Sequence, residues 1–266
     1  MALVVDEHFS PAEGMDLPAA LRAGDITAAH HFARYEWLLR ILADLPRCRT
    51  LLDAGCGAGY GTHAVAARFP RITVVGVDYD EHAVREATRR FSAPNLAFRH
   101  ADLMRWDDTL GPARYDVIVS FDSIEHMPHR ELVMESVVRH LAARGRLALS
   151  TPSGMPWNTL EPDWSAHRIE YGTASLYDFL RRYFAVVRRP DNLTLPHADV
   201  FARLNAAGLS YLNLLNPVLC ERPIRFWNPY HTASSRFFDT LSWARLRDVR
   251  HLAIETLAKL RPRRRI

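Results

Sequence analysis

The sequence predicts an α/β fold with a doubly wound, mostly parallel sheet and helices on both faces. Between residues 50 and 152, short apolar runs typical of buried strands alternate with segments of helical periodicity. A glycine-rich turn follows the first run, and the first two runs end in acidic residues. With 266 residues, the chain fits one large domain or one domain with an appended subdomain.

Bulk composition favours an ordinary globular protein. The chain is 48% hydrophobic and 24% charged, and its apolar runs are far shorter than the ~20 residues of a transmembrane helix. We expect no secretory signal. Three cysteines without metal-ligand spacing leave at least one thiol unpaired, which favours a cytoplasmic location. Much of the net charge of +4 lies in the tail Arg261–Arg265. Such a tail is usually solvated, so we expect no nucleic-acid partner.

The N-terminal part predicts an arm followed by a helix. Residues 1–26 are rich in proline, glycine and acids and predict an irregular arm. The stretch Thr27–Leu45 has an apolar face at helical spacing, with Asp25 or Thr27 as the N-cap, and Pro46 ends it. The apolar positions are Phe32, Tyr35, Leu38, Leu39 and Leu42.

A nucleoside-binding loop is predicted after the first strand, Thr50–Asp53. The loop has the pattern acid-x-Gly-x-Gly-x-Gly, formed by Asp53, Gly55, Gly57 and Gly59. Glycine accepts positive φ and lets a ligand lie against the backbone. The helix that resumes at Tyr60 would direct unbonded N–H groups at that ligand. The dinucleotide fingerprint fails, because the third glycine it requires falls on Tyr60 or Thr62.

The next elements continue the alternation. Ile72–Asp78 predicts the second strand, and an acid at its tip, about 20 residues after the loop, can bind both ribose hydroxyls. Later strands and helices follow in order, with Asp80 capping the helix after the second strand. They are helix Glu81–Phe91, strand Asn95–Phe98, strand Tyr115–Ser120, helix Arg130–Ala143, strand Gly145–Pro152, helix Thr173–Tyr183 and strand Phe184–Val187. The aromatic, proline-containing segment 152–171 predicts a loop that covers the substrate.

The glycine loop resembles motif I of the class I S-adenosylmethionine (SAM)-dependent methyltransferases. The resemblance implies a Rossmann-like seven-stranded sheet whose last strand is antiparallel, with Leu209–Leu212 as its candidate. It further implies glycines beneath the methionine part of SAM, an ammonium oriented by Asp53, ribose on Asp78 and the adenine amino group on Asp102. The complete cofactor set would be Asp53, Gly55, Cys56, Gly57, Gly59, Tyr60, Asp78, Tyr79, Asp102, Leu103 and Ser120. In that family, a leading helix such as Thr27–Leu45 lies over the SAM pocket, although His31 and Tyr35 could instead serve only packing at the domain boundary.

Two groups could carry chemistry beyond the fourth and fifth strands. The segment His167-Arg168-Ile169-Glu170-Tyr171 resembles the His-x-x-Glu-aromatic stretch of bacterial methyltransferases that modify glycans and polyols. Those relatives usually have Asn-Pro-aromatic before the histidine, where this chain has Trp164-Ser165-Ala166. A histidine base suits deprotonation of an alcohol near neutral pH. The alternative is a histidine that only holds the loop.

The second group is Asp122-x-x-Glu125-His126. It is similar to the acid-x-x-acid-His piece of magnesium-dependent RNA 2′-O-methyltransferases of the plant small-RNA type and of quinone-biosynthesis O-methyltransferases. Together with His167, these residues could hold Mg2+ or another divalent cation that lowers the pKa of the acceptor oxygen. Asp122 is one methylene shorter than the family's glutamate, and Glu125-His126 could instead only shape the pocket.

The sequence therefore predicts a SAM-dependent methyltransferase, O-directed, acting on a hydroxylated small molecule such as a sugar, glycan end or natural product. His167, His126 and Glu125 are its candidate catalytic residues. Residues 1–48 would form the arm and lid helix, 49–214 the SAM-binding domain, and 215–266 a helical extension with the basic tail. That extension would cap the substrate or form a homodimer contact. The alternatives are an N- or C-methyltransferase, a non-catalytic SAM-binding accessory protein, and an RNA methyltransferase.

Overall fold

The computed structural model describes residues 9–12, 14–106, 110, 113–155, 158–160, 166–188 and 217–224. The chain divides into two units, Met1–Arg225 and Phe226–Ile266, and every described residue belongs to the first. The predicted strand 209–212 and the part of the predicted helical extension beyond residue 224 lie outside the described residues. None of the described helices is long and apolar enough to cross a membrane.

Six helices and ten strands make up the described part. The helices are α1 (Leu17–Ala23), α2 (Ile26–Ala43), α3 (Tyr60–Arg68), α4 (Glu81–Arg90), α5 (Arg130–His140) and α6 (Thr173–Leu180). The strands are β1 (Thr50–Ala54), β2 (Thr73–Asp78), β3 (Leu96–His100), β4 (Tyr115–Phe121), β5 (Leu141–Ser150), β6 (Ser153–Met155), β7 (Thr159–Leu160), β8 (Ile169–Gly172), β9 (Phe184–Arg188) and β10 (Val218–Pro223). A single 3-10 turn, Ile124–His126, follows β4.

Seven of the strands form one sheet in the order β3-β2-β1-β4-β5-β10-β9. The strands from β3 to β5 are parallel, and β10 is antiparallel to both β5 and β9. Alternate residues of β1 enter different cores: Leu51 packs in the core that contains α2 and α3 residues, and Leu52 in the core with α5 and α6 residues. The prediction of a Rossmann-like, mostly parallel seven-stranded sheet with helices on both faces is confirmed.

Two expectations about helices were wrong. The arm predicted as irregular contains α1, because Asp16 accepts from the Ala19 N–H at 2.8 Å and Gly24 ends the helix at φ 69°. The helix predicted to reach Ala143 stops at His140, since Leu141 already pairs with Tyr115 in β4.

The predicted aromatic loop 152–171 contains regular structure in its described part. Strands β6, β8 and β7 form a second, three-stranded sheet in that order, with β6 parallel and β7 antiparallel to β8. In the main sheet, β10 lies within the stretch that the sequence assigned to the C-terminal extension. The sheet therefore continues further along the chain than expected.

Candidate functional site

The loop after β1 is held in one conformation by its glycines and by β2. Gly55, Gly57 and Gly59 have φ values of 89°, 49° and 76°, in the left-handed region that favours glycine. The N–H groups of Gly55 and Cys56 both donate to the Val77 carbonyl, at 2.9 and 3.0 Å. A Cβ on Gly59 would lie 2.7 Å from Ala87. The loop thus passes close to β2 and α4 and starts α3 without a side-chain cap.

Asp53 is a buried carboxylate with one satisfied oxygen and one unsatisfied oxygen. Its Oδ2 accepts from the Tyr35 hydroxyl at 2.9 Å and from the Thr62 hydroxyl at 2.7 Å. Its Oδ1 is buried and has no hydrogen-bond partner among the described residues. Burial raises the pKa of this carboxyl to about 6, although the Thr62 and Tyr35 hydroxyls lower it. A cationic group at Oδ1 would therefore relieve an electrostatic cost, and the ammonium of SAM fits this requirement.

Two further acids lie at or just beyond the carboxyl ends of neighbouring strands. Asp78 Oδ2 accepts from the Gly57 N–H at 2.8 Å, and its Oδ1 accepts from the Asp80 N–H at 3.0 Å. Asp78 therefore braces the glycine loop from β2. Asp102, after β3, is half-buried and accepts from the Met104 N–H at 2.8 Å. Together with Asp53, they form the row of carboxylates that the sequence predicted.

The other predicted cofactor residues differ in exposure. Leu103 is 2% exposed and Ser120, near the end of β4, is 5% exposed. Tyr79 is 71% exposed, and its carbonyl lies 2.8 Å from His100 Nε2. Tyr60 packs edge-on against Tyr35, Phe32 and Phe9 at the start of α3. The arm and α2 thus contact the glycine loop through aromatic rings.

The turn after β4 packs directly against the glycine loop. Asp122 has φ 46°, unusual for a residue other than glycine. Its backbone N–H donates to the Ser150 carbonyl, its Oδ1 accepts from the Ser150 hydroxyl, each at 3.0 Å, and its Oδ2 pairs with Arg34. A Cβ on Gly55 would overlap the Ser123 hydroxyl. Only glycine at position 55 therefore allows the two segments to approach this closely.

Glu125, His126 and His167 converge beyond this turn. One potential ligand atom from each lies within 4.8 Å of the other two. The rings of His126 and His167 meet nearly edge to face, with centroids 4.9 Å apart. Glu125 is fully buried; its Oε2 accepts from the Thr151 hydroxyl at 2.8 Å, while its Oε1 has no partner among the described residues. Burial, and then the charge of Asp122, raise the pKa of this carboxyl.

Hydrogen bonds orient both imidazoles. His126 Nδ1 lies 3.2 Å from the Ala166 carbonyl, and His167 Nδ1 lies 3.0 Å from Glu170 Oε1. A carbonyl and a carboxylate can only accept, so Nδ1 carries the proton in each ring and Nε2 presents its lone pair when the ring is neutral. The Arg168 N–H also donates to the Glu125 carbonyl at 2.7 Å. The segment with His167 is thus attached to the turn after β4.

The structure brings together three of the four residues predicted as metal ligands. Asp122, the fourth, is outside this group and pairs with Arg34. Sequence reasoning missed Arg34, Thr62, Ser123 and Thr151. A signal existed for Arg34, since a charged residue stands one turn before Leu38 on the apolar part of α2. The three hydroxyl residues carry no such signal, because their partners are set by the fold.

Comparison with known proteins supports this description. A family model described as a methyltransferase domain matches residues 52–147. A probable SAM-dependent methyltransferase of Mycolicibacterium smegmatis is 32% identical over 180 residues, 66% of this chain and 66% of its own. A trans-aconitate 2-methyltransferase of Methylobacterium nodulans is 29% identical over 158 residues, 59% of this chain and 56% of its own. The chain thus spans slightly less than two thirds of the first relative's length and just over half of the second's.

Among solved structures, an O-methyltransferase from a trans-AT PKS multienzyme of Brevibacillus brevis, in complex with S-adenosylhomocysteine, has the same fold. Its TM-score is 0.53 at 13% identity, and the match covers 86% of each chain. At this identity, the likeness concerns the fold alone.

Proposed function

The chain belongs to the class I SAM-dependent methyltransferase family, and we propose that it transfers the methyl group of SAM to a hydroxyl oxygen of a small molecule. The family predicted from the glycine loop is confirmed. The observation that carries the proposed reaction is the contact between Gly55 and Ser123. It joins a loop suited to a nucleoside cofactor to the turn that presents Glu125 and His126.

The cofactor would occupy the carboxyl edge of β1, β2 and β3. Asp53 Oδ1, buried without a partner among the described residues, fits the ammonium of SAM. Asp78, which also accepts from the Gly57 and Asp80 N–H groups, would accept from the ribose hydroxyls. Asp102 would accept from the adenine amino group. Because the left-handed glycines have no side chains, the methionine part can lie against the loop itself.

His167 is the proposed general base. In methyl transfer, the acceptor oxygen forms a bond to the methyl carbon as the carbon–sulfur bond breaks, leaving S-adenosylhomocysteine. An alcohol must also lose its proton, which His167 Nε2 would take. Glu170, bonded to Nδ1, would hold the ring and stabilise the imidazolium. His126 and Glu125 would border the acceptor.

The same three residues fit a divalent cation. Glu125 Oε1 lacks a partner in the described part of the chain, and both histidines donate from Nδ1 to oxygen acceptors, as metal-bound histidines do. Two imidazoles and one carboxylate favour a transition metal over Mg2+, which prefers oxygen ligands. A bound cation would lower the pKa of the acceptor hydroxyl. His167 Nε2 cannot bind a metal and a proton together, so base and ligand are alternative roles.

The test replaces His167 by alanine and follows label transfer from methyl-labelled SAM to an acceptor found by screening sugars, polyols and phenols. We expect kcat to fall about 100- to 10,000-fold, as for loss of a general acid or base, with unchanged affinity for S-adenosylhomocysteine. His63→Ala is the matched control, since His63, on α3, is also a half-buried histidine and stacks on Phe91. Full turnover by His167→Ala would refute the assignment of His167 as the general base. Loss of activity with chelator, restored by Mn2+ or Zn2+, would favour the metal role.

A carboxylate acceptor is the second candidate, and the trans-aconitate 2-methyltransferase relatives favour it. A carboxylate is already ionised near neutral pH and needs no base. In that case, trans-aconitate would be methylated and His167→Ala would keep most of its turnover. An N- or C-methyltransferase would also lack a histidine-dependent limb in its pH profile.

The remaining predictions have separate tests. A non-catalytic SAM-binding protein would bind S-adenosylhomocysteine but transfer no label to any acceptor. An RNA methyltransferase would show strongly salt-dependent activity that falls when residues 261–266 are deleted. Sedimentation of the full chain tests the predicted homodimer. The cytoplasmic location also stays a prediction.

A further inference from the structure

The amino-terminal edge of the main sheet, opposite the proposed site, is lined by arginines. Strands β1 to β5 are parallel to one another, and β9 shares their direction, because β10 is antiparallel to both β5 and β9. Each of these six strands has an exposed arginine before or near its start: Arg47, Arg71, Arg90, Arg114, Arg144 and Arg182. Neighbouring strands lie about 4.8 Å apart, so this arginine edge extends over about 30 Å.

The charge of the arginine edge is not balanced by neighbouring acids. None of its six arginines forms an ion pair with a carboxylate among the described residues. Glu86 pairs instead with Arg89, in the last turn of α4. Asp178 pairs with Arg181, just after α6. Asp44, exposed after α2, offsets at most one of the six charges, so the described part of this edge has an excess of positive charge.

Helix ends account for only part of the arginine edge. The helices that precede these strands end there, and a cation in a last turn is stabilised by the unbonded carbonyls. Arg90, the last residue of α4, fits this explanation. Arg47, Arg71 and Arg144 lie three or four residues beyond the ends of α2, α3 and α5. Because the effect of a helix end is confined to its last turn, these three positions have another cause.

The opposite edge of the same sheet is acidic. Asp53 and Asp78 lie at the carboxyl ends of β1 and β2, and Asp102 follows β3. A negatively charged surface would therefore attract the arginine edge and repel the edge that contains the proposed site. Such a surface would orient the protein with its site towards the solvent.

We propose that the arginine edge docks the protein on a membrane surface that contains anionic lipids. A guanidinium group binds two phosphate oxygens through parallel N–H bonds, and each arginine near an anionic lipid surface strengthens binding about fivefold. Six exposed arginines spread over about 30 Å can contact several headgroups at once. The docking does not depend on the identity of the acceptor, and it goes beyond the proposed reaction.

Other charged partners fit the arginine edge less well. A protein partner needs an apolar centre in its interface, and single-stranded nucleic acid needs aromatic rings on which bases stack. Among the described large hydrophobic side chains, only Tyr79 is exposed, and it follows β2 at the carboxyl edge. Proteins that read a duplex insert a helix or a pair of strands into a groove, whereas the described part of this edge consists of connections and strand starts. Lipid headgroups require only the positive charge.

The experiment measures co-sedimentation of the full chain with lipid vesicles. One set contains phosphatidylcholine alone, and the other contains phosphatidylcholine and phosphatidylglycerol in equal parts. We expect binding to the second set only, and weaker binding as salt is raised, because exposed charges are screened. Arg47→Gln/Arg71→Gln should weaken binding about 10- to 30-fold, since two arginines of the edge are lost. Arg22→Gln/Arg85→Gln removes the same charge from exposed residues of α1 and α4, and should weaken binding less than about threefold.

Circular dichroism checks the fold of each variant, and if the double variant does not fold, Arg47→Gln alone should weaken binding about fivefold. Equal binding to the two sets of vesicles, binding to neither, or equal losses in the two double variants would overturn the inference. Binding that persists in Arg47→Gln/Arg71→Gln and disappears when residues 261–266 are deleted would assign docking to the tail instead. Duplex DNA of mixed sequence, bound as tightly as the anionic vesicles at the same salt concentration, would overturn the assignment to lipid.

Discussion

The loop after β1 and the turn after β4 belong to neighbouring strands, yet they are fixed in different ways. The loop is held by backbone hydrogen bonds to Val77 and by left-handed glycines. The turn depends on side chains from distant parts of the chain, chiefly Arg34 and Thr151. A site fixed by backbone hydrogen bonds and by glycine conformations should tolerate substitutions poorly and should keep the same ligand. In a site assembled from distant side chains, substitutions can change which acceptor is methylated while the cofactor stays the same.

The largest expected effect concerns the loop alone. Asp53→Asn keeps a carbonyl oxygen for Tyr35 and Thr62 but places a neutral amide where the charged Oδ1 stood. We expect affinity for S-adenosylhomocysteine to fall about 100-fold or more, because a buried charge pair is lost. Isothermal titration measures this loss. Asp116→Asn, which changes a carboxylate bonded to the Arg49 and Thr50 N–H groups at the amino-terminal side of the sheet, is the control. Comparable affinities for both variants would contradict the role of Asp53.

The next effect concerns how stability and cofactor affinity vary with pH through the ionisation of Asp53. Burial raises the pKa of Asp53 from 3.8 to about 6, so its ionised form costs stability in the folded, unliganded protein. The free energy of unfolding should therefore fall by about 3 kcal/mol as pH rises from about 4 to above 6. Over the same window, affinity for S-adenosylhomocysteine should rise by up to about tenfold per pH unit and then level off, because the ammonium binds the ionised carboxylate.

Denaturant unfolding and titration at several pH values measure both trends. Because other groups also titrate, the informative quantity is the difference between the unmodified protein and Asp53→Asn. As pH rises, this difference should fall for the free energy of unfolding and rise for the affinity for S-adenosylhomocysteine. An affinity that does not vary between pH 4 and 7 would contradict the assignment of the ammonium to Asp53.

The smallest effect concerns the turn and its neighbouring segment. Glu170→Gln keeps an acceptor for His167 Nδ1 but removes the carboxylate charge that would stabilise the imidazolium. We expect kcat to fall about tenfold, in the range found for residues that orient a functional histidine, with S-adenosylhomocysteine affinity unchanged. Steady-state kinetics with the screened acceptor measures it. A variant that lost cofactor affinity instead would mean that the two regions are not independent.

The difference between the loop after β1 and the turn after β4 also explains which parts of the fold and the site could be predicted from the sequence. Asp53, the alternating glycines and Asp78 follow consecutive strands, so their spacing predicted both the sheet and the row of carboxylates. The cluster of Glu125, His126 and His167 was expected through motif resemblance, and the structure places those three together. The pairing of Asp122 with Arg34, 88 positions earlier in the chain, was not expected, because a local sequence motif does not predict contacts between distant residues. Likewise, β10 (Val218–Pro223) lies after Leu209–Leu212, the segment predicted to form the antiparallel strand.

The most direct measurement is a calorimetric titration of the full, folded chain with S-adenosylhomocysteine. Left-handed glycines beside three strand-end carboxylates predict saturable binding of one ligand per chain, which Asp53→Asn abolishes or weakens about 100-fold. A folded chain that gives no saturable heat, and no change in melting temperature at high ligand concentration, would contradict the account.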